Sequence, residues 1–225
     1  MTSWPSAGAS GVSELYKLLG VQPGLTAVTG SGGKTSLLRQ LIKELPGQVI
    51  LATSTHILPP AELPLFTEPL AALPADKVCL GTWSDRGKLC APAQPWAALT
   101  ALADYVLVEA DGSRQLPLKA HRDFEPVVPP EARQVIAVLG LSGLQRPIAE
   151  AAHCPALYAR LCGAAVEDPA TPERAAAVLR AEGGFDTLVL NQAEGREALG
   201  RALAAQLACP TVLASLRNGW WTKAE

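Results

Sequence analysis

Apolar residues along the chain fall into short unbroken runs and into stretches where they return every three or four positions. That is the mark of strands alternating with amphipathic helices. Leu25 to Thr29 is such a run. It ends in the glycine cluster Gly30, Gly32 and Gly33, after which Leu37, Leu38, Leu41, Ile42 and Leu45 follow at helical spacing. Pro46 and Gly47 stop that helix, and Val49 to Thr53 begins a second strand that runs on to Thr55 and His56. Strand, helix and strand in that order predict a parallel pair.

Between Leu58 and Pro95 the prolines thicken and the periodicity fades, with Val78 to Gly81 and Lys88 to Cys90 placed to pair as a hairpin around Asp85, Arg86 and Gly87. The stretch 58–95 reads as an excursion from the sheet. A helix over Ala97 to Ala103 and strands at Tyr105 to Ala110 and Val135 to Gly140 follow. An alanine-rich helix after Pro172 and Glu173, a strand at Thr187 to Leu190, a helix over Glu194 to Leu207 and a short strand at Thr211 to Ala214 complete the pattern. The predicted class is α/β: a mostly parallel sheet flanked by helices, of the P-loop NTPase-like kind, in a single domain over 1–225 with an N-terminal segment at 1–20.

Composition narrows the function more than the fold. With 225 residues, 48% of them hydrophobic and 18% charged, the chain can bury one sizeable core, and global disorder is excluded. A balance of 19 basic against 21 acidic residues gives a net charge of −2 and no electrostatic reason to expect nucleic acid as a partner. No run approaches the ~18 consecutive apolar residues of a membrane span. Met1 to Gly11 carries neither a basic cluster nor an apolar core, so neither membrane nor export is expected. The five cysteines form no CxxC pair and predict free thiols in a reducing cytoplasm. His153 beside Cys154 completes no tetrahedral set, which discounts zinc. Trp4 stands near one end and the pair Trp220 and Trp221 near the other; such a pair can anchor a partner but is expected to pack back over a sheet edge, and nothing in the pattern specifies an oligomeric state.

Chemistry concentrates first in Ala27-Val28-Thr29-Gly30-Ser31-Gly32-Gly33-Lys34-Thr35-Ser36. Glycines at a strand-to-helix turn let successive backbone N–H groups converge at the positive end of the following helix, a geometry that binds phosphate. Lys34 stands in the first turn, where a cation costs stability unless an anion compensates it. The expected anion is a nucleoside triphosphate, ATP or GTP, with Thr35 placed to complete a Mg²⁺ shell. Gly30, Ser31, Gly32, Gly33, Lys34, Thr35 and Ser36 are therefore the expected phosphate-binding residues. The form departs from GxxxxGK[ST], because Val28 stands where the first glycine belongs, and it resembles the loop of Mur-type amide ligases as much as that of ordinary NTPases.

Tyr105-Val-Leu-Val-Glu109-Ala-Asp111 puts two carboxylates on one face at a strand end, by the period-two alternation of strand side chains. Asp111 is expected on the metal side, and Glu109 is expected to orient or deprotonate an attacking water or hydroxyl, although both could instead cap the next loop. Arg114, Lys119 and His121 follow in a loop suited to sensing a terminal phosphate; Arg114 would offset transition-state charge and Lys119 would hold an anion, with Glu125 as a partner to either. His56 is expected as polar lining of the same edge. Asn191 ends a strand in Leu188-Val-Leu-Asn191-Gln-Ala-Glu194, a partial match to a base-reading NKxD element; contact with a purine, contact with the phosphate loop and a plain helix cap all fit it.

Taken together, VTGSGGKTSLL, ATSTHILPP, the GKL near Lys88, YVLVEADGSRQLPLKAH, EPVVP, VIAVLGLSGL followed by RPI, and VLNQ resemble the YqeC family of selenium-dependent hydroxylase accessory proteins, over most of Thr26 to Gln192. The resemblance implies a nucleotide-dependent factor that helps fit selenium into molybdenum hydroxylases, working beside a selenium-donor system. Lys34, Thr35, Glu109, Asp111, Arg114, Lys119 and His121 are the residues that carry it. The serine in ATSTH and the Gln-Ala-Glu after Asn191 depart from the expected pattern.

Three functions follow from these residues. The first is a Mg²⁺-dependent NTPase or phosphoryl transferase. The second is a nucleotide-gated module whose 112–125 loop docks a partner with little turnover. The third is an acyl-phosphate ligase of the Mur type, for whose extra substrate domains 225 residues leave little room.

Overall fold

In the computed structural model, residues 13–224 are described; Trp4 and the segment Met1 to Gly11 lie outside them. In chain order the elements are α1 (Leu15–Leu18), β1 (Gly24–Gly30), α2 (Lys34–Glu44), β2 (Val49–Thr53), the short strands β3 (Leu65–Phe66), β4 (Lys77–Leu80), β5 (Thr82–Trp83) and β6 (Leu89–Cys90), then α3 (Trp96–Leu102), β7 (Tyr105–Glu109), β8 (Leu118–Lys119) and β9 (Ala132–Gly140). There follow α4 (Ile148–Ala151), β10 (Ala152–His153), α5 (Pro155–Cys162), α6 (Pro172–Glu182), β11 (Thr187–Asn191), α7 (Glu197–Ala204), β12 (Thr211–Ser215) and β13 (Trp220–Lys223).

Nine of these strands form one sheet in the order β13-β12-β11-β9-β1-β7-β2-β4-β3. All neighbours run parallel except β12 and β13. β1 lies at the centre, between β7 and β9. The chain leaves β1 through α2 to β2 on one side and later returns to fill β9 on the other, so the carboxyl ends of β1, β7, β9 and β11 share one edge, where an open α/β sheet forms its crevice.

Both faces of the sheet are covered, which explains why its strands are apolar without interruption. On one face Val28, Leu51, Leu107 and Val138 pack against Leu37, Leu38 and Leu41 of α2 and Leu15 of α1. On the other, Ile50, Val106 and Val108 meet Leu99 of α3, while Leu139, Leu188 and Leu190 meet Tyr158 of α5 and Val178 of α6. Leu37 and Leu41 are fully buried, which is worth about 1.5–3 kcal/mol for each such side chain and holds α2 against the sheet.

The expected α/β class, with its mostly parallel flanked sheet, is the observed one. The stretch 58–95 differs from expectation. β4 joins β2 in parallel and β3 joins β4, so the segment widens the main sheet. The hairpin exists, but Cys90 and Leu89 pair with Thr82 and Trp83 rather than with 78–81, because Val78, Cys79 and Leu80 are fully or almost fully buried as a sheet strand. α7 is shorter than the helix expected from Glu194, since Gln192 and Gly195 take positive φ values of 60° and 69°. Trp220 and Trp221 form the edge strand β13, and Trp221 Nε1 donates to Ser13 O at 2.6 Å. The five cysteines are all free, and burial pushes the Cys79 thiol up to about 12. No helix among the described residues is long and apolar enough to cross a membrane.

Candidate functional site

The turn from β1 into α2 is built from close approaches that only glycine permits. Gly30, Gly32 and Gly33 have φ values of 90°, 81° and 139°. A Cβ on Gly32 would run into the backbone of Gly140 at the end of β9, and one on Gly33 into the side chain of Asn191 at the end of β11. No side chain caps α2 at Gly33. The Gly30 amide is used by Asp111 and the Ser31 amide by Val138 O. Among the described residues, no hydrogen bond engages the amides of Gly32, Gly33, Lys34, Thr35 and Ser36. These orphan donors lie at the positive end of the helix.

Lys34 stands buried in this turn, and its compensating anion is internal. Its ammonium donates to Gly30 O at 2.7 Å and lies 2.8 Å from Asp111 Oδ1 and 3.8 Å from Glu109 Oε1. The expectation that only a bound polyphosphate would compensate Lys34 is thus corrected. The physical reason is register. β7 runs parallel to β1 with Val28 opposite Glu109, so the chain just beyond carries Asp111 to the level of Gly30.

Asp111 is completely buried among cations and donors. Its Oδ2 accepts from Gly30 N at 2.8 Å and from His121 Nε2 at 2.6 Å and lies 3.2 Å from Lys119 Nζ. Oδ1 has the Lys34 charge beside it but no aligned hydrogen bond, which leaves one buried acceptor unsatisfied. Burial alone would raise the Asp111 carboxyl; the His121 hydrogen bond and the charges of Lys34 and Lys119 outweigh it and hold the group well below the ordinary carboxylate range. His121 is pushed up to about 9: burial opposes the charge, and hydrogen bonds to Asp111 and Glu182 more than offset it. Its Nδ1 lies 2.8 Å from Glu182 Oε2, so both ring nitrogens donate. Lys119 also donates to Gly112 O at 2.6 Å and pairs with Glu125 at 3.2 Å.

Asp111, expected on the metal side, therefore serves as the counter-ion of Lys34, Lys119 and His121, and the carboxylate that faces open space is Glu109. Thr35 Oγ1 donates to Glu109 Oε2 at 3.3 Å. Burial, ahead of the other influences, raises the Glu109 carboxyl above its ordinary range, against the pull of Lys34. Both residues open on a cavity of about 750 Å³ between α2, the 55–63 segment and the 112–127 loop, whose lining includes Arg114 and His56. A second cavity of about 340 Å³ lies on the other side of the buried cluster, lined by Ser31, Lys119, His121 and Glu182. Arg114 is exposed and left-handed at φ 48°.

Asn191 is drawn into the turn rather than toward solvent. Its side-chain amide donates to Gly32 O at 2.8 Å and its Oδ1 accepts from Leu216 N at 3.1 Å. Ser31 donates to Leu116 O, and Ser36 is exposed on α2. Sequence reasoning missed Glu182, which ends α6 and holds His121 through both its backbone and its ring. Its separation of 61 residues from His121 left no local signal. Among the described residues no group of three or more His, Cys, Asp or Glu is arranged to hold a metal ion.

No solved structure matches this chain. A curated Escherichia coli (strain K12) relative, named uncharacterized protein YqeC, is 36% identical over 141 residues, which is 54% of this chain and 54% of its own length. The match thus spans about half of the relative. The family model described as YqeC protein matches residues 26–156, a span that holds the glycine turn, the paired carboxylates and the Lys119–His121 segment, and the chain belongs to the YqeC family.

Proposed function

We propose that this protein binds a Mg²⁺-nucleoside triphosphate, ATP or GTP, on the turn from β1 to α2 and transfers or hydrolyses its terminal phosphoryl group, in the manner of a P-loop NTPase. One observation carries the reading: the amides of Gly32 to Ser36 are left unpaired beside a buried lysine at an uncapped helix start. The oxygens of Thr35 and Glu109 suit a hard cation that prefers oxygen ligands, and Mg²⁺ held there would offset charge on the terminal phosphates. Glu109, with its raised carboxyl, is positioned to take the proton of the attacking oxygen. In that step the attacking oxygen bonds to the terminal phosphorus, the bond from that phosphorus to the bridging oxygen breaks, and the diphosphate leaves with the electron pair.

The test is calorimetric titration of the full chain with Mg²⁺ and ATP or GTP. Lys34→Ala is expected to weaken binding by about tenfold or more, as loss of a charge-assisted contact requires. Equal affinity in variant and parent overturns the reading.

A nucleotide-gated module with little turnover is the second reading. The observation in its favour is that Lys119, which contacts Asp111, also holds the 112–125 loop through Gly112 O and Glu125, so a nucleotide bound beside Asp111 could set the order of that loop for a docking partner. Family resemblance supports the setting for either: an accessory role in maturing selenium-dependent molybdenum hydroxylases, beside a selenium-donor system in the cytoplasm. The Mur-type ligase reading gains no support from the site.

A further inference from the structure

The cavity beside Thr35 and Glu109 is far larger than an attacking water needs. About 750 Å³ lies well within the range of small-molecule sites. The glycines of the turn do not line it, whereas Thr35 does, so a triphosphate seated on the turn would bring only its terminal phosphate to the cavity mouth and leave the interior free.

The charges lining that interior are unequal. Each acid there has a cation within 4 Å: Glu109 and Glu125 reach Lys34 and Lys119, both of which they share with Asp111, and Glu62 pairs with Arg39. Arg114, Arg122 and Lys88 also line the cavity, and among the described residues none of them has a carboxylate partner. His153 on the same wall is held below its ordinary value by burial first, with the positive charges of Lys119, Arg114 and Arg122 adding to it against the pull of Glu125. Apolar surface stands next to it. Phe124 is 68% exposed and Leu58 69% exposed, both at the cavity, with the Arg122 guanidinium 5.9 Å from the Phe124 ring centroid. An exposed aromatic ring beside guanidinium groups that have no carboxylate partner suits a ligand that stacks and carries negative charge.

We infer that this cavity binds a second small molecule, an anion bearing phosphate or carboxylate on a flat apolar body. Its role as phosphoryl acceptor rests on the nucleotide reading above; the anion site itself does not.

The test uses 1-naphthyl phosphate, 1-naphthol and inorganic phosphate as probes in ligand-observed NMR and calorimetry on the full chain. The parent protein is compared with the double variant Arg122→Ala/Lys88→Ala, both exposed positions, after circular dichroism confirms its fold. The naphthyl phosphate is expected to bind the parent about tenfold more tightly than either fragment probe and about tenfold more tightly than it binds the variant. Mg²⁺ with a non-hydrolysable ATP analogue is expected to bind parent and variant alike and to leave the naphthyl phosphate in place. No binding, equal binding to parent and variant, or displacement by the analogue overturns the inference. Arg122-dependent binding of the probe in a protein that ignores the analogue supports the anion site and sinks the nucleotide reading alone.

Discussion

Lys34 Nζ lies 2.8 Å from Asp111 Oδ1, and neither side chain is more than 3% exposed. The helix-start cation and the strand-end anion thus neutralise one another inside the protein. A polyphosphate arriving at the turn would compete with Asp111 for Lys34, while Lys119 and His121 would still meet the displaced carboxylate. The pairing keeps the site folded without ligand and sets what a ligand must outbid.

Asp111→Asn should be the most damaging single change in the cluster. It leaves Lys34, Lys119 and protonated His121 close together without their shared counter-charge. Breaking a buried pair from one side costs about 3–5 kcal/mol, which urea unfolding would show as a large fall in midpoint at unchanged slope. A midpoint within error of the parent would remove Asp111 from the centre of the site.

Stability should fall as pH rises from His121's ordinary 6.5 toward its folded value of about 9. The folded state holds a proton there that the unfolded chain has lost, so the stabilisation is complete below the window and gone above it. Asp111 acts in the opposite sense: its lowered folded value gives stability present above the ordinary 3.8 and lost as pH falls below it. Urea midpoints across pH should decline on the alkaline side in the parent and stay flat there in His121→Gln, and an NMR titration of the imidazole checks the assignment.

Glu109→Gln keeps the side chain's size and its contact with Thr35 while removing the proton acceptor. Phosphate release should drop by about a hundredfold or more, well beyond any loss of Mg²⁺-nucleotide affinity that calorimetry records. Undiminished release would assign Glu109 a structural part. Parent protein that binds nucleotide tightly and releases no phosphate would favour the gated module.

Asn191→Ala should weaken ATP and GTP binding by the same factor. The side chain is spent on Gly32 O and Leu216 N, so it shapes the turn. The unpaired buried groups left behind should also cost roughly 1–3 kcal/mol. A selective loss for one nucleotide in paired titrations would return Asn191 to base reading.

Much of the fold was legible because local patterns and tertiary structure agree. The run from Leu25 to Thr29, the glycine turn and the helical spacing of Leu37, Leu38 and Leu41 read directly as β1 and α2. The 58–95 segment was harder: β3 and β5 have two residues each, too few for a period, and their pairing depends on distant partners. At the site, the glycines, Lys34, Glu109 and Asp111 were visible as types at a spacing. Which carboxylate Lys34 would take was not, because it depends on the register of β1 against β7, and Glu182 was invisible because it reaches His121 only through the packing of α6.

The outermost strands of the sheet have a consequence for how the molecule behaves in company. One margin is the two-residue strand Leu65–Phe66, and the other is the antiparallel ribbon Trp220–Lys223, laid down against the direction of its neighbours. A long unpaired parallel edge would be a template on which further chains could add and fibres grow. Margins of only two and four residues offer little of that template, so the breadth of apolar strand that supports the buried cluster ends in edges too short for extended pairing.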